Sequence, residues 1–153
     1  LQIINKGITL SQSRKALMLA RKARISTAAT FVVGIPGETR ETLQQTIDFA
    51  KEINPTFAQF FRIVPFPGTE LYHTFTKQNT SMTVSWDDFI ETSNLPLLNI
   101  PTLEEREIQQ GLKRAYRSFY LRPSKLFELA LAASSIHKIK GYWRALKTFL
   151  RLI

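Results

Sequence analysis

The sequence predicts an α/β fold, and three observations carry that prediction. Two short apolar runs, residues 27–33 (TAATFVV) and 57–64 (FAQFFRIV), alternate with stretches of helical spacing. Each run stops at a turn rich in glycine and proline, Gly34-Ile35-Pro36-Gly37-Glu38-Thr39 and Pro65-Phe66-Pro67-Gly68-Thr69. The resulting order of helix, strand, helix, strand is that of βα units on a parallel sheet.

Each element has its own signal. Residues 1–6 read as the end of a helix stopped by Gly7. Thr9 with Gln12 three positions on has the capping-box spacing. It opens a helix over about 10–24, with Leu10, Leu17, Ala20 and Ala23 as the apolar stripe and Arg14, Lys15, Arg21 and Lys22 in water. The uncharged run 27–33 reads as a strand buried on both faces. Leu43, Ile47, Ala50 and Ile53 define a second helix over 40–53, broken by Asn54-Pro55, and 57–64 is the second strand. Two parallel strands neither close a barrel nor cover a doubly wound sheet, so their neighbours are expected before Leu1.

Beyond residue 76 the texture changes. Residues 77–85 are polar loop, Trp86-Asp87-Asp88-Phe89 sets two aromatics around an acidic pair, and 94–101 is extended because Pro96 and Pro101 interrupt it. Thr102 with Glu105 has capping-box spacing for a helix striped by Leu103, Ile108, Leu112, Ala115 and Phe119. Pro123 suits the first turn of another helix running to about residue 136, and Gly141 precedes a last one over 142–152. The expected organisation is residues 1–76 as an α/β part, 77–101 as a connecting segment and 102–153 as a mainly helical, basic extension.

Composition narrows the chemistry. The chain has no Cys, so by itself it offers no thiolate ligand, Cys nucleophile or disulfide. The net charge of +9 is local: residues 1–111 hold 11 basic and 11 acidic side chains, and 112–153 hold 10 basic ones against Glu128. No apolar run approaches the ~18 residues of a membrane span, and no targeting signal is visible. The expected setting is the cytoplasm, with at most a peripheral membrane contact.

The Gly34–Thr39 turn follows a strand and opens a helix, the context of an anion or nucleotide cradle. It lacks the ending of a Walker A loop and is not GxGxxG, so locally a tight βα turn is favoured over a ligand cradle. The second turn lies at the corresponding end of its strand, the rim where parallel α/β folds bind ligands, although Pro-Gly after a strand most often makes only a turn. His73 and His137 have no ligand spacing, and Asp87-Asp88 reads as a solvated turn. Arg62, inside an apolar strand, needs an anionic partner or a route to solvent, and a structural ion pair and a substrate contact are both open for it. In the tail, Lys113, Arg114, Arg117, Arg122, Lys125, Lys138, Lys140, Arg144, Lys147 and Arg151 interleave with aromatics. A packed helical region with a wet basic face ranks first for it, a membrane surface second and nucleic acid third.

Asn5-Lys6-Gly7-Ile8-Thr9, followed by FVVGIPGETRETLQQTIDFAKEINPTFAQFFRIVPFPGTEL, resembles the C-terminal part of radical S-adenosylmethionine enzymes with a cobalamin-binding domain. That group includes anaerobic magnesium-protoporphyrin monomethyl ester cyclases and hopanoid methyltransferases. Phe119-Tyr120-Leu121-Arg122-Pro123 is also similar to its C-terminal region. The resemblance implies the last βα units of a partial (βα)6 barrel, these being its fifth and sixth strands. It implies that Gly34, Ile35, Pro36, Gly37 and Glu38 help hold the adenosine part of S-adenosylmethionine, with Ile35 packed on the adenine. Val64, Pro65 and Phe66 would lie near the adenine, while Phe61 and Arg62 depart from the small or apolar residues of many members. The 4Fe–4S cluster loop, CxxxCxxC, and the cobalamin site would lie upstream, in the missing N-terminal part of the same protein. The parent would methylate or oxidatively cyclise a large hydrophobic small-molecule substrate, and this chain alone would be inactive. The alternative expectation is a non-catalytic basic helical module that docks to a membrane surface or an acidic partner.

Overall fold

The computed structural model describes residues 6–78 and 102–132. The expected terminal helix end at 1–6 (apart from Lys6), the segment 79–101 with Asp87-Asp88, His137 and the helix over 142–152 lie outside the described residues. The elements are α1 (Leu10–Lys22), β1 (Ala28–Val33), α2 (Arg40–Ile53), β2 (Phe57–Arg62), α3 (Glu70–Gln78), α4 (Glu105–Tyr120) and α5 (Pro123–Ala132). The expected α/β class is observed: β1 and β2 pair in parallel, with Ala28 opposite Phe57 and Val33 opposite Arg62. The second strand ends at Arg62, two residues earlier than the apolar run indicated.

Local chemistry sets the helix ends. At α1 the Thr9 hydroxyl accepts from the Gln12 amide at 3.1 Å while Gln12 Oε1 accepts from the Thr9 amide at 2.7 Å. Thr39 and Thr42 form the corresponding reciprocal pair at α2. Helix α2 stops at Asn54, whose left-handed backbone (φ 40°) is the conformation asparagine tolerates best after glycine. Helix α3 was not anticipated; it starts where the Thr69 hydroxyl accepts from the Tyr72 amide at 3.1 Å.

The core lies on one side of the sheet. Phe31, Ala58 and Phe60 face Ile47, Ala50 and Ile53 of α2 and Ala115 and Phe119 of α4. Phe31 stacks on Phe60 at 5.1 Å, and Phe60 meets Tyr116 edge-on at 5.2 Å. Nearer the strand ends, Val33, Leu43, Leu103 and Ile108 form a second buried cluster. Among the described residues the opposite side of the sheet is open, with Ala28, Thr30, Gln59 and Phe61 exposed. The sequence led to the expectation of a strand covered on both faces; among the described residues α2 and α4 both pack against the same side, so burial alternates along each strand.

The two edges of the sheet also differ. Helix α4 runs along the outer edge of β2, where the Tyr120 hydroxyl accepts from the Ala58 amide at 3.0 Å and donates to the Ala58 carbonyl at 2.9 Å. Tyr116 does the same for Phe60, at 3.1 and 3.2 Å. Burial pushes the Tyr120 phenol up, so it keeps the proton it donates. The tyrosines thus satisfy the backbone groups that a further strand would use.

Three cations gather at the carbonyl end of α2. Arg21 donates to the carbonyls of Ile53 and Asn54, at 3.0 and 2.8 Å. Arg122 reaches the Lys51 carbonyl at 3.0 Å and Asn54 Oδ1 at 2.8 Å. Lys125 donates to the Pro55 carbonyl at 2.8 Å and to Glu128, with its side chain fully buried. Positive charge is favourable at this end of a helix. Among the described residues no helix is long and apolar enough to cross a membrane.

Candidate functional site

The candidate loops emerge from the carboxyl ends of two adjacent parallel strands, so they share one rim. Gly34 is buried with φ +81°, and a Cβ there would sit 3.7 Å from Ile63 and 3.8 Å from Arg62. The beginning of the first loop therefore lies against the beginning of the second. Positive φ, rather than crowding, is what requires glycine at 34 and at Gly37, where φ is +82° and nothing lies within 4 Å of a Cβ. Ile35 and Pro36 are half-buried between these glycines, and Glu38 is buried.

Glu38 closes its own loop. One carboxylate oxygen accepts from the Gly34 amide in a short hydrogen bond and from the Ile35 amide at 3.3 Å. The Glu38 amide donates back to the Ile35 carbonyl at 2.9 Å. Burial is the larger influence on the carboxyl and raises its pKa, against the lowering effect of the two amides. The amides that made this turn a candidate anion cradle are thus already engaged by a side chain of the loop itself.

The second loop holds Val64 half-buried, Pro65 buried and Phe66 half exposed. It is cinched by the Phe66 amide on the Val64 carbonyl at 3.1 Å and by the Thr69 hydroxyl on the Phe66 carbonyl at 2.6 Å. The rim offers backbone, aliphatic and aromatic surface of the kind that packs on a flat, uncharged ring. That surface is compatible with the adenosine end of S-adenosylmethionine. It does not fit an iron–sulfur cluster, because the chain contains no Cys.

Several residues at the rim have roles that the sequence reading did not assign. Thr102 is not the cap of α4: Glu104 takes that position, with its amide donating to Glu107 at 3.0 Å. The Thr102 hydroxyl donates instead to the Glu38 carbonyl. Arg62 lies on the helix-facing side of β2, its side chain nearly buried, and pairs with Glu105 at 3.4 Å. This gives it the structural ion pair, on the face away from the open side. Arg40, just after the first loop, pairs with Glu107, and Ile108 lies 3.5 Å from a Cβ at Gly34. The first turns of α4 therefore brace the first loop and the end of β2. His73 is exposed.

Of the tail cations, Lys113, Arg114 and Arg117 are exposed, Arg122 is half-buried over the Phe119 ring at 4.7 Å, and Lys125 is buried. The wet basic face thus excludes Lys125. The only acid among residues 112–153, Glu128, is its partner.

No known family description matches the chain. It is 37% identical over 128 residues, 84% of its length, to an uncharacterized methyltransferase of Pyrococcus horikoshii, of which the match covers 28%. It is 31% identical over 122 residues to an anaerobic magnesium-protoporphyrin IX monomethyl ester cyclase of Cereibacter sphaeroides, covering 80% of this chain and 19% of the cyclase. A shorter match, 34% over 74 residues, joins 47% of the chain to 17% of a tRNA-2-methylthio-N(6)-dimethylallyladenosine synthase of Paracoccus denitrificans. The chain spans less than a third of the length of these curated relatives.

Proposed function

We propose, for a chain that belongs to the radical S-adenosylmethionine family of these methyltransferase and cyclase relatives, that its two strand-end loops form part of an adenosine pocket. The observation that carries the proposal is the shared rim. The loops Gly34–Glu38 and Val64–Phe66 follow neighbouring parallel strands, and the first is braced by Thr102, just before α4, and by Glu107 and Ile108 within it. Ile35 would pack on the adenine, with Pro65 and Phe66 closing the pocket from the second strand.

In this reading β1 and β2 are the last two strands of an open barrel. The tyrosine-sealed edge of β2 supports that, and so does the uncovered side of the sheet, which would face the barrel interior. The rest of the same protein, at the length of the relatives, would supply the neighbouring strands, the cluster thiolates and any cobalamin site. When bound, S-adenosylmethionine would supply either a 5′-deoxyadenosyl radical, with methionine as the leaving group on reduction, or its sulfonium methyl group, with S-adenosylhomocysteine left behind. This chain's residues would bind and orient its adenosine and exclude water from one side. The whole protein would then methylate or cyclise a small molecule in the cytoplasm. The rival reading, a basic docking module, is not favoured, since Arg122 and Lys125 are engaged at the end of α2.

The test is equilibrium binding of S-adenosylmethionine to the protein extended to the length of its relatives. Ile35→Asp is expected to weaken binding at least ~10-fold, by placing a charge against an apolar ring. Unchanged affinity in a folded variant would remove the pocket from this rim.

A further inference from the structure

We propose that Glu38 is the resident anion of the first loop and that, by filling the loop's own amide nest, it sets the rim to accept ligands lacking a phosphate or carboxylate at that point. The choice of nucleoside over nucleotide rests on the adenosine-pocket reading; the occupancy of the nest by Glu38 does not.

Consecutive backbone amides following a glycine of positive φ form a concave donor pair, the device by which phosphate-binding loops hold an oxyanion. Gly34 and Ile35 provide such a pair directly after β1, where the sheet no longer uses their amides. In a nucleotide loop the oxygen would come from the ligand. Here it comes from a side chain four residues on, buried with 8% of its surface exposed. An arriving phosphate would have to displace an acceptor tethered within the same loop, and would meet its negative charge. A neutral ring or a cationic sulfonium meets neither obstacle.

The tether is held from outside the loop as well. Thr102 donates to the Glu38 carbonyl from a position 64 residues away, and Arg40 beside the loop is held by Glu107. The approach to α4 therefore fixes the backbone of the residue whose carboxylate fills the nest. Glu38 is on this account a positioning and specificity-determining residue, not a ligand contact.

The test labels the full chain with 15N-glycine and follows the Gly34 amide, with inorganic phosphate and acetate as probes. In the unmodified chain neither anion is expected to move it. In Glu38→Ala the vacated nest should bind both, and the Gly34 signal should shift saturably while buried Gly111 stays at its native position. In Thr102→Val, which keeps the carboxylate, Gly34 should remain unresponsive. A saturable phosphate shift in the unmodified chain overturns the proposal, as does an unresponsive Gly34 in folded Glu38→Ala. Should that variant unfold, pH titration of the unmodified chain decides. The Gly34 amide should report a carboxyl titrating above the ordinary glutamate range, and an amide that does not titrate overturns the proposal. In the protein extended to the length of its relatives, the preference for adenosine over adenosine monophosphate should fall at least ~10-fold on Glu38→Gln. An unchanged preference overturns the specificity claim. If neither nucleoside nor nucleotide binds, the adenosine pocket fails, while the amide experiment still decides whether Glu38 fills the nest.

Discussion

At the residue scale, position relative to α2 decides what a charge does. Lys125 lies in a basic stretch, yet its ammonium is buried beneath α2, bonded to the Pro55 carbonyl and Glu128 and 5.3 Å from the Phe119 ring. Desolvation lowers its pKa from the ordinary lysine value, and Glu128 opposes that only in part. An unfolded lysine keeps its proton to higher pH than this one does. Between the lowered value and the ordinary one the unfolded state therefore binds more protons, and stability rises with pH. Lys125→Met keeps the apolar stem but leaves the buried Pro55 carbonyl without its donor, a cost of about 1–3 kcal/mol. Denaturant unfolding at a series of pH values should show that loss near neutrality and a gap that widens in alkali. A variant as stable as the parent, or a gap independent of pH, would contradict this account. None of it was legible in the sequence, because the partners lie 70 residues apart and only the fold brings them together.

At the element scale, what was readable was what is local. The capping box at Thr9 and Gln12 and the stripe Leu43, Ile47, Ala50, Ile53 were both visible because their members lie within a few turns of one helix. The role of Thr102 and the partner of Arg62 were hidden, since each depends on how α4 lies across the strand ends. Gly111 shows the same limit. In the sequence it is a helix-weakening residue inside a good amphipathic stripe; in the structure it faces the Leu43 side chain of α2. A Cβ there would overlap the buried Leu43 side chain. Gly111→Ala gains about 1 kcal/mol of helix propensity but incurs overpacking of about 1–3 kcal/mol. The expected outcome is a net loss in thermal or denaturant unfolding, with exposed Gln110→Ala nearly neutral. Leu43→Ala should cost less in the Gly111→Ala background than alone, because it vacates the contested space. A stabilised Gly111→Ala would mean the two helices are free to separate.

At the scale of the whole molecule, the two edges of the sheet differ: tyrosines cover the edge of β2, and among the described residues no strand covers that of β1. The α/β alternation was legible from the sequence, which also led to the expectation of further strands. Which edge is closed was not legible, because nothing in the tail marks Tyr116 and Tyr120 as partners of backbone 56 and 62 residues away. In a parallel ladder alternate residues turn their amides to opposite edges. The Phe57 and Ile63 amides bond to the carbonyls of Thr27 and Val33, so those of Ala58 and Phe60 face the tyrosines. On β1 the amides of Ala28, Thr30 and Val32 face the other edge, where the sheet has no further strand among the described residues. Hydrogen exchange should register this asymmetry. In this chain Ala58 and Phe60 should exchange slowly and Thr30 and Val32 quickly. Tyr120→Phe should release Ala58 and cost about 1–3 kcal/mol through its orphaned amide and carbonyl. Extending the protein to the length of its relatives should slow Thr30 and Val32 at least ~100-fold as a strand joins β1, and leave Ala58 and Phe60 as they were. If Thr30 and Val32 stay fast there, the sheet does not grow past β1, and the open side of Thr30, Gln59 and Phe61 is not the inside of a barrel.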